Sequence, residues 1–200
     1  MLLVGAGPGD PDMLTLRAEA ALAAATLVVT DPAVATLAVA FAPRASVVPA
    51  PADPGTLAEL VAPAAAAVRL YRGDPWLHPA FAAESTALAA RGVATEAVPG
   101  PPVETALAGA AGVPVHHRPL AVTLTLGSVA SAHGGRTLAA DVPDLAAACA
   151  RLGGDAPAAV VPAGGSARRG TLAELAATPE LAGMPGVVVV GPTTLAPGAG

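Results

Sequence analysis

Leu2-Leu3-Val4 is a short apolar run of strand character that gives way at once to Gly5-Ala6-Gly7-Pro8-Gly9-Asp10, and Pro11-Asp12-Met13-Leu14-Thr15-Leu16-Arg17-Ala18 then reads as a helix start. A strand that hands over to a helix through so short and constrained a turn is the first half of a βα unit, which commits the chain to an α/β fold. The three glycines permit positive φ and close approach of the backbone to a ligand, Pro8 stiffens the turn, and Asp12 or Pro11 can open the helix. Such a loop is built to hold something. A dinucleotide fails on spacing, because Asp10 stands where the third glycine of Gly-x-Gly-x-x-Gly belongs.

The same alternation continues downstream. β-Branched runs at residues 2–4, 27–30, 46–48, 68–71 and 93–98 are separated by alanine-rich helical stretches, which predicts βαβ units around a largely parallel sheet. Pro99-Gly100-Pro101-Pro102 breaks the pattern, a helical run follows to Ala111, and Gly112-Val113-Pro114 breaks it again. The expected organisation is therefore a first α/β domain over residues 1–113 and a shorter second one over 114–200. The second should hold strands at 121–126, 157–161 and 186–190 and helices at 142–152 and 171–177.

Composition excludes several functions. With 54% hydrophobic and 12% charged residues in 200, there is ample apolar material for a core. The longest apolar runs, 20–29 and 33–42, fall short of the ~18 residues a membrane span requires, so no membrane partner is expected. The net charge is −5, lysine is absent and the ten arginines are scattered apart from Arg168-Arg169, so no basic face for nucleic acid can be drawn. The single cysteine, Cys149, lies in an apolar helical run, excludes a disulfide framework and reads as a small core residue. His78 and His133 lack neighbours of ligand type, no His/Asp/Glu spacing suggests a metal, and no Gly-x-Ser-x-Gly elbow occurs. No basic leader precedes the first strand, so no signal peptide and a cytoplasmic location are expected.

The opening VGAGPGDPDMLTLRA resembles the start of the tetrapyrrole methylase family, most nearly its uroporphyrinogen-III C-methyltransferases, and four further stretches follow in the family's order. Val28-Val29-Thr30-Asp31 resembles the second strand and its terminal aspartate, although Asp31 can equally be an N-cap for a helix opening at Pro32. Val68-Arg69-Leu70-Tyr71-Arg72-Gly73-Asp74-Pro75-Trp76 is similar to the family's VVRLKGGDPF, with Arg72 in place of the first glycine. Ala97-Val98-Pro99-Gly100 and Gly112-Val113-Pro114-Val115-His116-His117-Arg118 are similar to VPG and GIPLTHR. Residues 157–163 and Arg169-Gly170-Thr171-Leu172 resemble the late strand and the RGTL segment.

The resemblance implies two α/β domains with a cleft between them, in the class III methyltransferase manner. It implies a homodimer that uses S-adenosylmethionine, releases S-adenosylhomocysteine and methylates uroporphyrinogen III or a related tetrapyrrole of siroheme or cobalamin biosynthesis. By position it places Pro8, Arg72, Gly73, Asp74, Pro102, Val103 and Ala163 at the cofactor, gives Arg118 and Asp31 catalytic roles, and sets Arg17, Glu84 and His117 toward the acceptor. His116 and His117 are neighbours on an extended segment, so at most one of them faces the cleft. Three departures are visible. Ala80 and Ala83 stand where the family carries an arginine and a glutamate that serve the tetrapyrrole. Residues 137–142 replace a strand ending in a cofactor-contacting methionine, and only residues 164–168 precede RGTL. Those departures leave open a diverged, catalytically weak member that binds cofactor or tetrapyrrole, and a methylase of another acceptor.

Overall fold

The computed structural model describes residues 1–113, 115, 122–126, 137–163 and 165–191. It divides into two compact units, Met1–Pro102 and Val103–Gly200. The helix that follows Pro99-Gly100-Pro101-Pro102 thus goes with the second unit, not the first.

In the first unit, β1 (Leu2–Gly5), β2 (Leu27–Thr30), β3 (Ser46–Pro49), β4 (Ala67–Tyr71) and β5 (Glu96–Val98) form one sheet in the order β3-β2-β4-β1-β5. Every pairing is parallel, with Leu2 opposite both Val68 and Glu96. Helices α1 (Leu16–Ala24), α2 (Ala35–Phe41), α3 (Pro54–Val61) and α4 (Phe81–Ala90) make the crossovers. The strands alternate their faces as a sheet buried on both sides must. Val4, Val28, Val68 and Leu70 pack on Ala18, Leu22, Leu37 and Ala38 of α1 and α2, while Leu3, Val29 and Tyr71 pack on Leu57, Ala58 and Leu88 of α3 and α4.

The expected opening strand of this unit is confirmed, but its helix starts later than Asp12 or Pro11 suggested. Pro11–Met13 is only a 3-10 turn, capped by Asp10, whose Oδ1 accepts from the Asp12 N–H at 2.9 Å. The helix proper opens at Thr15, whose Oγ1 accepts from the Ala18 N–H at 3.1 Å. β5 is shorter than the β-branched run around it, because the N–H of Val93 donates to Leu88 O at 3.0 Å and closes the end of α4.

In the second unit α5 (Val103–Ala110), α6 (Leu145–Leu152) and α7 (Leu172–Ala176) accompany a sheet of order β6-β7-β10-β8-β9. Its strands are β6 (Val122–Leu126), β7 (Thr137–Val142), β8 (Pro157–Pro162), β9 (Arg168–Thr171) and β10 (Gly186–Val190). Only β6 and β7 pair in parallel; β7–β10, β10–β8 and β8–β9 are antiparallel, so this sheet is mixed where that of the first unit is wholly parallel. β7 and β9 carry little β-branched signal of their own and are held by their neighbours. The Arg169-Gly170-Thr171-Leu172 segment has a local purpose: the Thr171 Oγ1 accepts from the Glu174 N–H at 3.2 Å while Glu174 Oε2 accepts from the Thr171 N–H at 2.8 Å, a capping box that starts α7. Cys149 is buried in the α6 core, and burial pushes its thiol up to about 11.

Leu22 is fully buried whereas Val39 stands in solvent. Leu22→Ala should lower the stability of the first unit by about 2–5 kcal/mol, and Val39→Ala should change it by less than about 0.5 kcal/mol, in chemical denaturation followed by circular dichroism.

Candidate functional site

Strand order fixes where a ligand can sit. β1 and β4 are neighbours, yet the connection leaving β1 runs through α1 on one face and that leaving β4 through α4 on the other. Adjacent strands whose connections part in this way open a crevice outside their carboxyl ends. The Gly5–Gly9 loop and the Gly73-Asp74 loop are the two that leave β1 and β4.

These loops and the turn after β5 meet through glycine. The Gly73 N–H donates to Gly7 O at 2.7 Å and the Gly7 N–H returns to Gly73 O at 3.3 Å, with Gly7 at φ 65° and Gly73 at φ 80°. A Cβ on Gly5 would lie 2.5 Å from Gly73 O and 2.6 Å from Gly100 N, and a Cβ on Gly100 would lie 2.6 Å from Gly5 O. Three backbones therefore pack here at a spacing no side chain permits. Pro8 follows Gly7 at the tip of the first loop.

Asp74 ties the crossing together. Its Oδ1 accepts from the Trp76 N–H at 2.8 Å, capping the 3-10 turn Pro75–Leu77, and its Oδ2 accepts from the Gly100 N–H at 3.2 Å. Both oxygens thus hold the frame of the site.

Asp31 ends in a different environment from that of a helix cap. It sits before the 3-10 turn Pro32–Val34 but makes no side-chain cap bond to it. Its Oδ1 accepts from Arg69 Nη2 at 2.6 Å, and its Oδ2 accepts from the Arg72 N–H at 2.8 Å and lies 3.2 Å from His78 Nε2. Burial alone would push the Asp31 carboxyl up; the hydrogen bond to His78, the Arg69 guanidinium and the Arg72 N–H outweigh it and bring it down to about 2. Asp31 is consequently a fixed negative charge near neutral pH.

Arg69 is the centre of this cluster and is only 2% exposed. Its Nη1 donates to Leu70 O at 2.8 Å, its Nε donates to Glu84 Oε2 at 3.1 Å, and its guanidinium lies 4.2 Å above the Tyr71 ring. The Tyr71 hydroxyl donates to Glu84 Oε2 at 2.6 Å, and burial beside the Glu84 carboxylate raises the tyrosine well above its ordinary range. Glu84, expected at the acceptor, is instead buried with its oxygens turned inward to Arg69 and Tyr71. The reason is Arg69: a guanidinium on a buried strand face needs carboxylates within reach, and α4 supplies the second one.

The other candidate positions are dispersed. Arg17 on α1 is exposed and paired with Glu96, also exposed, the first residue of β5. Arg72 contributes its N–H to Asp31. Pro102 ends the first unit, and Val103 begins α5 with its side chain in the core formed with Ala159, Val161, Val187 and Val189. Ala163 is exposed just past β8, its N–H donating to Pro185 O at 3.0 Å. Arg118, His117 and His116 lie outside the described residues. His78, which linear spacing passed over, is brought onto Asp31 by the fold; its Nδ1 also accepts from the Ala80 N–H at 3.2 Å. Among the described residues no group of three His, Cys, Asp or Glu side chains could hold a metal, and no helix is long and apolar enough to cross a membrane.

Two outcomes follow from the buried cluster. Arg69→Ala leaves Asp31 and Glu84 uncompensated and should cost about 3–5 kcal/mol, against about 1 kcal/mol for Tyr71→Phe, in denaturant melts at neutral pH. Asp31 is depressed from 3.8 to about 2 in the folded chain, so its contribution, up to about 2 kcal/mol, is complete above about pH 4 and disappears as pH falls through about 2. Wild type minus Asp31→Asn stability, measured across that window, should shrink accordingly, and a pH-independent difference would contradict the assignment.

A family model for tetrapyrrole (corrin/porphyrin) methylases matches residues 1–176. A siroheme synthase of Methylococcus capsulatus is 36% identical over 128 residues, covering 58% of this chain and 27% of that protein. The chain therefore spans only about a quarter of the length of the curated relatives it matches. The crystal structure of uroporphyrin-III-C-methyltransferase from Thermus thermophilus superposes with a TM-score of 0.76 at 28% identity, covering 96% of this chain and 92% of that one. The same protein complexed with S-adenyl homocysteine gives a TM-score of 0.75 at 28% identity, over 97% and 92% of the two chains. With the parallel sheet and the glycine crossing in place, this match over most of its length means that the chain belongs to the tetrapyrrole (corrin/porphyrin) methylases.

Proposed function

We propose that this chain transfers the methyl group of S-adenosylmethionine to a carbon of uroporphyrinogen III or a closely related tetrapyrrole, as a step of siroheme or cobalamin biosynthesis, and releases S-adenosylhomocysteine. The observation that carries the reading is the glycine crossing. Gly5, Gly7, Gly73 and Gly100 bring three backbones together at the carboxyl ends of β1, β4 and β5, at a spacing that leaves no room for a side chain. A donor with an amino-acid end and a nucleoside end is suited to the crevice this crossing borders, because main chain rather than bulky side chains forms its edge there.

Bound there, S-adenosylmethionine supplies a methyl already activated on a sulfonium, which an electron-rich carbon can take by in-line displacement. The residues of the chain position and polarise. Asp74, clamped by the Trp76 and Gly100 N–H groups, keeps the β4 and β5 loops in register around the cradle. Asp31, held ionised, contributes a constant negative charge at the end of β2 and is too weak a base at about 2 to take a proton from carbon near neutral pH. Its proposed catalytic role is therefore electrostatic support. Arg118 remains proposed as a catalytic group and His117 as an acceptor-side group, and homodimer formation and a cytoplasmic setting remain proposed with them. A second reading, transfer to a different acceptor, is favoured by one observation: the stretch from Pro75 to Ala83 contains no Asp, Glu, Arg or Lys.

Calorimetric titration with S-adenosylhomocysteine tests the reading. The wild type should bind in the micromolar range, and Gly73→Arg should abolish binding by placing a side chain at φ 80° in the crossing. Asp74→Ala should weaken binding at least about tenfold by freeing the loop it caps. No binding by the wild type at millimolar ligand would overturn the proposal.

A further inference from the structure

The chain is poor in aromatic residues, with one Trp, one Tyr and two Phe, and all of them except Phe41 lie between positions 71 and 81. They form a continuous ladder from the core to the surface. Tyr71 is buried under the Arg69 guanidinium, Phe81 meets it at 6.2 Å between ring centroids, and Trp76 meets Phe81 at 4.7 Å with the rings tilted by 53°. Trp76 ends the ladder with 65% of its surface exposed. It is nonetheless fixed in place: Asp74 caps its N–H, the 3-10 turn closes with the His78 N–H on Pro75 O at 3.0 Å, and Phe81 supports one edge of the indole. A large, rigid, exposed indole next to the Gly73-Asp74 loop is poised to receive a flat partner.

The chemistry of the surrounding segment limits what that partner presents. Glu84 is turned inward, Ala80 and Ala83 bear no charge, no Arg or Lys lies between Pro75 and Ala83, and the imidazole of His78 is already turned onto the Asp31 carboxylate. We propose that Trp76 is a stacking shelf that receives the face of a pyrrole-type ring of the acceptor, so that this side of the acceptor is recognised by its ring rather than by its carboxylates. The proposal rests on the methyltransferase reading, since it is the position of Trp76 beside the donor cradle that makes the ring an acceptor ring. Stacking on an indole is tolerant of ring substituents and insensitive to salt, whereas carboxylate recognition by arginine is neither.

The test uses the full chain and two non-reactive planar probes, uroporphyrin III and coproporphyrin III, the second carrying half the carboxylates of the first. Binding is followed by the shift of the porphyrin absorbance. S-adenosylhomocysteine binding is measured in parallel by calorimetry. Wild type should bind the two porphyrins with affinities within about threefold of each other, Trp76→Ala should weaken both on the order of tenfold, and Trp76→Phe should recover most of the loss. S-adenosylhomocysteine affinity should stay within about twofold in both variants, which separates a shelf from a mere prop of the loop. Unchanged porphyrin binding in Trp76→Ala, a strong preference for the more carboxylated probe, or a parallel loss of S-adenosylhomocysteine binding would each overturn the shelf. Indole emission that changes with protein concentration alone would assign the exposed face to a second copy of the chain and overturn it too. Failure of the wild type to bind S-adenosylhomocysteine overturns the methyltransferase reading instead, while the porphyrin titration still decides whether the shelf exists.

Discussion

Everything at the carboxyl edge of the first sheet depends on one steric constraint: the backbones of Gly5, Gly73 and Gly100 approach closer than any Cβ allows. Parallel strands of order β3-β2-β4-β1-β5 send the loops after β1 and β4 to opposite faces, and the crevice so formed would gape if those loops were not drawn together. The reciprocal hydrogen bonds between Gly7 and Gly73 and the Asp74 carboxylate on Gly100 do the drawing. A single cradle results, lined by main chain. Main chain is pre-organised and carries no side-chain entropy to lose, which suits the proposed task of holding a small activated donor still.

Beneath the cradle lies a charge problem and its solution. Arg69 sits on a strand face packed against α3 and α4, where an unpaired guanidinium would be costly. Asp31 from the end of β2 and Glu84 from α4 flank it, the Tyr71 hydroxyl adds a second bond to the Glu84 Oε2 that Arg69 also reaches, and His78 and the Arg72 N–H complete Asp31. The cluster links β2, β4, the 3-10 turn at Pro75–Leu77 and α4 in one network. It also settles which acidic residues are free to meet a ligand, since both are engaged inward. The same turn carries the aromatic ladder outward, so the buried cation and the exposed indole are two ends of one packed column.

The first unit was legible in the sequence to the extent that its signals are local. Apolar runs at 2–4, 27–30, 46–48 and 68–71 are strands, and the glycine pattern after the first lies where the fold needs close approach. Thr15 was hidden because Asp12 and Pro11 both compete as helix starts, and only geometry shows that they belong to a 3-10 turn capped by Asp10. The roles of Glu84 and His78 could not be read from spacing, because each is decided by Arg69 or Asp31 arriving from another strand. A buried arginine within an apolar strand, Val68-Arg69-Leu70, was the available clue: it demands distant carboxylates. In the second unit β7 and β9 lacked a strand signal because alanine, arginine and glycine take their conformation from β10, β6 and β8 beside them.

The proposed methyl transfer to a tetrapyrrole carbon can be followed by incubating the purified chain with isotopically methyl-labelled S-adenosylmethionine and freshly reduced uroporphyrinogen III and reading the product by mass spectrometry. The tetrapyrrole should gain labelled methyl groups on carbon, with one S-adenosylhomocysteine released for each. Intact unlabelled tetrapyrrole, from a chain shown to bind both S-adenosylhomocysteine and the porphyrin, would contradict it.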